Sequence, residues 1–298
     1  MLQALSFPFM WWALAACLVL AGIHAYLGFH IIKRGVIFVD LSLAQMAALG
    51  LAVAILLNLH EYPLANYLFP VGMTVIGAVV FAWLRHLEHR VPLEAFIGIV
   101  FATAQALVLL ILEHSPSGTE HLKETLVGTI FTVSPATVIK TAIIYGIVGL
   151  LHFLVRKPLF QITNDPAGAR AGGRNLFLWD VLFYTSFGVV VTSSVGIAGV
   201  LLVFGLLVIP AVAGVLASDR TGVRLIVGWS FAFFCCVIGL LTAFSLDTPA
   251  APTILTTMAM LLIVHGLIMT LWKRLTRGRR FPAAPTTRTP ANIGRGSV

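Results

Sequence analysis

Apolar residues run almost unbroken for about twenty positions at a time along this chain, the length a helix needs to cross a membrane, and short charged, Gly- and Pro-containing clusters separate them. The runs cover residues 7–32, 36–57, 64–84, 93–112, 136–154, 177–193, 196–217, 223–244 and 252–272. Their length suits helices crossing a hydrocarbon core of about 30 Å, not the roughly ten-residue alternating segments of a membrane β-barrel. A helix closes its own backbone hydrogen bonds, which lipid cannot do for it. The pattern therefore predicts an all-α protein, a polytopic transmembrane helical bundle of eight or nine spans.

Lys and Arg concentrate in alternate connections: Lys33 and Arg34, residues 85–90, 156–174 and 219–224, and the stretch from Lys273 onward. The other connections hold one Lys, Lys123. Placing the basic set in the cytoplasm gives nine crossings, an external N-terminus and an internal C-terminus. A re-entrant run would break that parity.

Composition supports the same reading. The 298 residues are 59% hydrophobic and 10% charged, against about a quarter charged in soluble domains. The net charge of +8 is thus a property of cytoplasmic loops and tail, and nucleic acid is not an expected partner. Residues 1–272 form the transmembrane domain, and residues 273–298, rich in Arg, Pro and Thr, a disordered basic cytoplasmic tail lying on membrane lipid. Cys17, Cys235 and Cys236 sit inside apolar runs and read as small core residues. Leu14 to Cys17 resembles a lipoprotein cleavage box, but no basic residue precedes it, as a signal peptide requires.

Two connections are long. On the outer side, residues 122–133 read as a short helix at the membrane face, with Glu113, His114, Glu120 and His121 beside it. Those side chains either attract a cation or are simply solvated. On the inner side, residues 156–175 hold Asn164 or Asp165 as the cap of a helix that starts at Pro166 and stops at Gly172 and Gly173. A capped knob on the cytoplasmic face suits docking of a partner.

Chemistry is sparse. No Lys follows a Gly anywhere, so there is no phosphate-binding loop, and H-E-x-x-H, G-x-S-x-G and paired Cys ligands are absent too. The chain reads as no enzyme, and any ATP hydrolysis belongs to a separate subunit. The exceptional residue is Asp40, in V-I-F-V-D-L-S-L-A-Q-M-A-A-L-G-L at residues 36–51. A charge at mid-membrane costs about 2.5–3.5 kcal/mol on insertion scales. Asp40 either lines a path or sits shallow and pairs with Lys33 and Arg34. Residues 195–214 are rich in Gly and Ala for close helix packing, with a kink expected at Pro210.

Five segments in order then carry a resemblance: residues 34–50, G-I-V-F-A-T-A-Q-A-L at 98–107, N-D-P-A-G-A-R-A-G-G at 164–173, G-V-L-L-V-F-G-L-L-V-I-P-A at 199–211, and S-L-D-T-P-A-A-P-T-I at 245–254. Together they resemble the permease subunit of zinc, manganese or iron ABC importers, over residues 28–272. The resemblance implies a multi-pass inner (plasma) membrane protein that forms the translocation path as a homodimer. It further implies a cytoplasmic ATP-binding subunit docked on Asn164, Asp165 and Arg170, and an external metal-binding protein delivering zinc or manganese, with iron also possible as cargo. No cofactor is implied. In the family this segment typically reads G-D-x-x-S-H-x-x-x-P-G, with the Asp and His one helical turn apart as candidate ion contacts. Here Asp40 keeps its place, and the His position falls on Ala44 aligned from the left or on Gln45 aligned from Gly50.

In a regular helix at about 100° per residue, Ala44, Ala47 and Ala48 share the face of Asp40, and Gln45 lies about 140° away. One residue more than the family pattern is what a wide π turn absorbs. The expectation is that such a turn brings Gln45 to Asp40, making both metal ligands. An ion-coupled carrier or channel, and a siderophore or cobalamin importer permease, are the alternatives. A carrier would show matching interrupted segments in its two halves, and residues 36–51 have no such counterpart.

Overall fold

The computed structural model describes residues 6–59, 61–88, 90–113 and 127–277. Among them ten α-helices and no strand occur: α1 (Pro8–Arg34), α2 (Val39–Leu56), α3 (Pro63–Leu84), α4 (Leu93–Leu112), α5 (Pro135–Leu154), α6 (Arg156–Asn164), α7 (Pro166–Ala171), α8 (Leu176–Ala217), α9 (Thr221–Leu246) and α10 (Ala250–Arg277). All but α6 and α7 are long and apolar enough to cross a membrane. The all-α transmembrane bundle expected from the runs is what forms.

Two expected runs, 177–193 and 196–217, are joined in the 42-residue α8. A straight helix of that length would measure about 63 Å, twice the hydrocarbon core. It is not straight. Gly199 has φ 71° and ψ 159°, the one non-helical residue inside α8, a conformation open to Gly because it has no Cβ. The contacts show what the break does. Along the first arm, Asp180 meets Arg34 at the inner end of α1, and Ser194 meets His24 further out. On the second arm Leu207 is back against Gly28, and Leu216 meets Lys273 near the end of α10. The arms run antiparallel, so among the described residues α8 supplies two spans, as the runs 177–193 and 196–217 predict. The expected kink at Pro210 is not where the chain turns, because Pro210 only removes one hydrogen bond whereas Gly199 reverses the backbone.

α1 and both arms of α8 form the centre, wrapped by α2, α3, α9 and α10. At the closest approach a Cβ on Gly28 would stand 1.9 Å from the Leu207 carbonyl oxygen, so the two helices touch backbone to backbone there. Cys17, Cys235 and Cys236 are buried and free, core residues as expected.

The outer connection differs from expectation in the part described. Instead of a helix to Val133, a 3₁₀ turn spans Ile130–Thr132, and the Thr129 amide donates to the Ile197 carbonyl at 2.9 Å, beside the Gly199 bend. A loop that can bond the bend's open carbonyls need not continue as helix. His114, Glu120 and His121 lie outside the described residues; Glu113 is exposed at the end of α4. At the other terminus α10 continues past Trp272 to Arg277, with Lys273 Nζ donating to the Leu216 carbonyl at 3.0 Å. Residues 278–298 of the expected tail lie outside the described residues.

Candidate functional site

The start of α2 is held by its neighbours. Glu94, in the first turn of α4, accepts from the Ile37 amide at 2.7 Å, which fixes the turn between α1 and α2. Asp40 follows in the first turn of α2, where the partial positive charge of the helix N-terminus favours a carboxylate. Asp40 is 1% exposed and its Oδ1 has no hydrogen-bond partner. Arg34 does not reach it, and among the described residues no ion pair includes Asp40. The shallow pairing with Lys33 and Arg34 is therefore not formed.

One helical turn outward begins a cavity of about 300 Å³. Ala44, Ala47, Ala48 and Leu51 of α2 form one wall, α3 contributes Asn66 and Tyr67, and Thr192 of α8 and Thr129 of the outer segment add hydroxyls. Asp40 lies on the same i, i+4, i+7 stripe as these alanines, sealed beneath Ala44. The expected wide turn is absent, because α2 is α-helical from Val39 to Leu56 with no π turn. Small alanines pack without strain, so nothing drives the extra residue into a bulge. Gln45 is 5% exposed and falls on the stripe of Leu49 and Ala52, which packs with Ala104 and Val108 of α4. The structure thus does not bring Gln45 to Asp40.

A second buried carboxylate escaped the sequence reading. Asp180 Oδ1 accepts from Arg34 at 2.8 Å and from Arg85, in the 3₁₀ turn after α3, at 2.6 Å. The side chains of Arg34 and Asp180 are each 1% exposed. Arg34 Nε also donates to Thr163 Oγ1 at 3.2 Å, and His30 Nδ1 bonds the same hydroxyl at 2.8 Å. The Arg34 guanidinium lies 4.1 Å from the Phe183 ring centroid. Asp180 carries the same signal as Asp40, an acid inside an apolar run, and could have been found by it.

Thr163 belongs to α6, an element the sequence reading left as loop. α6 is amphipathic: Leu159, Ile162 and Thr163 face the bundle while Lys157, Gln161 and Asn164 are exposed. α7 follows as expected, with Pro166 at its first turn and the Asp165 carboxylate accepting from the Gly168 amide at 2.9 Å. The cap is Asp165, whereas Asn164 ends α6 and donates from Nδ2 to the Phe160 carbonyl at 2.8 Å. Asn164, Asp165 and Arg170 are all exposed.

A family model described as the ABC 3 transport family matches residues 6–269. The chain belongs to the ABC 3 transport family. It is a multi-pass membrane protein, and the five-segment resemblance to metal importer permeases agrees with this match. Among its relatives, the "Probable iron transport system membrane protein" of Haemophilus influenzae is 24% identical over 280 residues, 94% of this chain and 97% of that protein. The "Manganese transport system membrane protein MntC" of Halalkalibacterium halodurans is 23% identical over 254 residues, 85% of this chain and 84% of that protein. Among solved structures, PsaBC from Streptococcus pneumoniae in complex with Fab has a TM-score of 0.77 at 20% identity, covering 92% of this chain and 98% of that one, which shows the shared fold.

In this ABC 3 family chain the cluster of two arginines on one carboxylate predicts an order of damage. Asp180→Ala leaves the buried Arg34 unpaired and Arg85 with only the exposed Glu88, 3.9 Å from its Nε, and should destabilise by about 3–5 kcal/mol. Arg85→Gln leaves the neutral Arg34–Asp180 pair and should cost about 1 kcal/mol, near the net value of one hydrogen bond. Thermal unfolding of the purified variants checks the order; equal losses would mean the cluster is not governed by charge balance.

Proposed function

We propose that this chain is the membrane-spanning subunit of an ATP-driven importer of divalent metal ions, working as a homodimer with a cytoplasmic ATP-binding subunit and an external metal-binding protein. The observation that carries the proposal is Asp40, a buried carboxylate with an unpartnered oxygen on the stripe of α2 that lines the outer cavity, in a chain matched to the ABC 3 family over most of its length. Keeping such an acid inside a membrane has a cost, and a passing cation relieves it. Ala44 separates the cavity from Asp40, so in this conformation an ion entering from outside stops one turn short. Transport requires α2 to shift against α3 and α8.

Relatives named for iron and manganese transport support those two ions as cargo, and an oxygen ligand favours manganese over zinc. The energy enters from the cytoplasm. Closure of the ATP-binding subunits pushes on α7, α6 moves with it, and Thr163 hands the movement to Arg34 on α1 and through Asp180 to α8 and α3. A chain without a phosphate-binding loop has no other route to ATP.

Uptake of radioactive manganese into vesicles holding the complete transporter tests the site. Asp40→Asn should lower ATP-dependent uptake about tenfold or more, the effect of losing about 1.4 kcal/mol of stabilisation in the rate-limiting passage. Gln45→Ala should leave uptake near wild type, since Gln45 faces α4, and so should Ser42→Ala, whose hydroxyl has no partner to lose. Unchanged uptake in Asp40→Asn would remove the carboxylate from the path.

Coupling has a separate readout. Replacing Asp165 and Arg170 together by Ala, or Thr163 by Val, should abolish uptake while the complex still hydrolyses ATP. Thr163→Ser should restore it, because Ser keeps the hydroxyl that Arg34 and His30 share. Normal uptake in the Asp165 and Arg170 double variant would contradict docking at α7.

A further inference from the structure

A groove of about 540 Å³ opens on the side of the bundle between α1 and α5, away from the cavity above α2. Gly22 and Ile23 of α1, Gly146, Gly149 and Phe153 of α5, and Trp229 of α9 line it. A Cβ built on Gly22, Gly146 or Gly149 would meet no atom within 4 Å. The missing side chains leave a slot along both helices.

The polar groups along its edge are turned the other way. His152 Nε2 bonds Ser186 Oγ at 2.7 Å, and the Tyr145 hydroxyl bonds Ser194 and donates to the Val190 carbonyl at 3.2 Å, all on α8. Hydrocarbon and ring faces are what the slot presents. At 1.5 Å per residue, the lining of α5 from Ala142 to Phe153 gives it a length of about 17 Å, and Arg156 at the start of α6 stands at its end. It thus runs from the cytoplasmic interface to somewhat beyond the middle of a core about 30 Å thick.

The cytoplasmic end is cationic. Arg156 lies with its guanidinium 4.2 Å from the Phe153 ring centroid, exposed, and Lys157 follows it. Among the described residues no carboxylate pairs with either. Size limits the occupant further. The slot is made by the side chains missing at Gly22, Gly146 and Gly149, a scale that suits a hydrocarbon chain lying along the helices.

We propose that the groove holds an acyl chain of an anionic phospholipid from the cytoplasmic leaflet, with its headgroup phosphate on Arg156. The ring of Phe153 under the guanidinium orients the cation toward the headgroup, and the open glycines take the upper part of the chain. The site is independent of the cargo; it depends only on the chain being embedded in a membrane.

Trp229 is a built-in reporter, isolated as the difference in emission between the wild-type chain and Trp229→Phe. The full chain is reconstituted in phosphatidylcholine vesicles containing brominated phosphatidylglycerol or brominated phosphatidylcholine, which quench tryptophan on contact. Half-quenching of Trp229 should need about fivefold less phosphatidylglycerol than phosphatidylcholine, the factor one basic side chain supplies at an anionic membrane surface. Arg156→Gln, at an exposed position, should abolish that preference, and Gly149→Leu should fill the slot and protect Trp229 from both lipids. Equal quenching of the wild type by both lipids would mean ordinary boundary lipid and overturn the proposal. No quenching by either would mean that protein, a second copy included, covers the groove, and would overturn it equally.

Discussion

One oxygen atom, Asp180 Oδ1, holds the inner ends of three helices in register. Arg34 reaches it from α1 and Arg85 from the end of α3, while Asp180 itself starts the first arm of α8. Two cations share this one buried anion in a largely dry place, and only Arg85 has a second carboxylate, the exposed Glu88, at 3.9 Å. Burying each ion costs several kcal/mol, so such a cluster adds little over well-packed apolar side chains. What it adds is specificity: helices with nearly uniform apolar faces could slide past one another, and a charged group that must meet its partner allows one register. Thr163 joins the same cluster from α6, so the element that fixes register is also bonded to the short helices between α5 and α8.

The Gly199 bend rests on that frame. With Asp180 anchored at the inner end and Ser194 against His24 further out, the first arm has a fixed height. The backbone then has to turn where the membrane ends, and Gly199 allows it. The second arm returns beside α1 so closely that only Gly28 fits against Leu207. Both the outer cavity and the groove between α1 and α5 follow from this arrangement, because α8 occupies the centre and both α2 and α5 pack on it.

The spans were legible in the sequence because lipid forces the backbone into helices and leaves a simple hydropathy signal. The reading of residues 177–193 and 196–217 as separate spans was right about the crossings and silent about the bend, since hydropathy carries no information on φ. The cap at Asp165, Pro166 and the glycines after Ala171 was legible because capping chemistry is local. α6 was not, because a nine-residue amphipathic helix with Pro158 inside reads as loop until its apolar face has something to cover. Asp40 stood out as an acid in an apolar run. Asp180 passed unnoticed in the same setting, and its partners, 146 and 95 residues away in sequence, could not be paired with it from spacing. The Gln45 expectation failed because a one-residue offset against a family pattern can be absorbed by changing a ligand instead of bending a helix.

The claim on which the account turns is that α8 folds back, which puts the connection between α8 and α9 on the cytoplasmic side. Gly222 is exposed there with open space around its Cα, and the native cysteines are buried. A Gly222→Cys chain in intact spheroplasts should resist a membrane-impermeant maleimide and react once the membrane is opened, while Ser134→Cys, before α5, should react from outside in both cases. Labelling of the Gly222 position from outside would mean that α8 crosses once, and the antiparallel arms with everything built on them would be wrong.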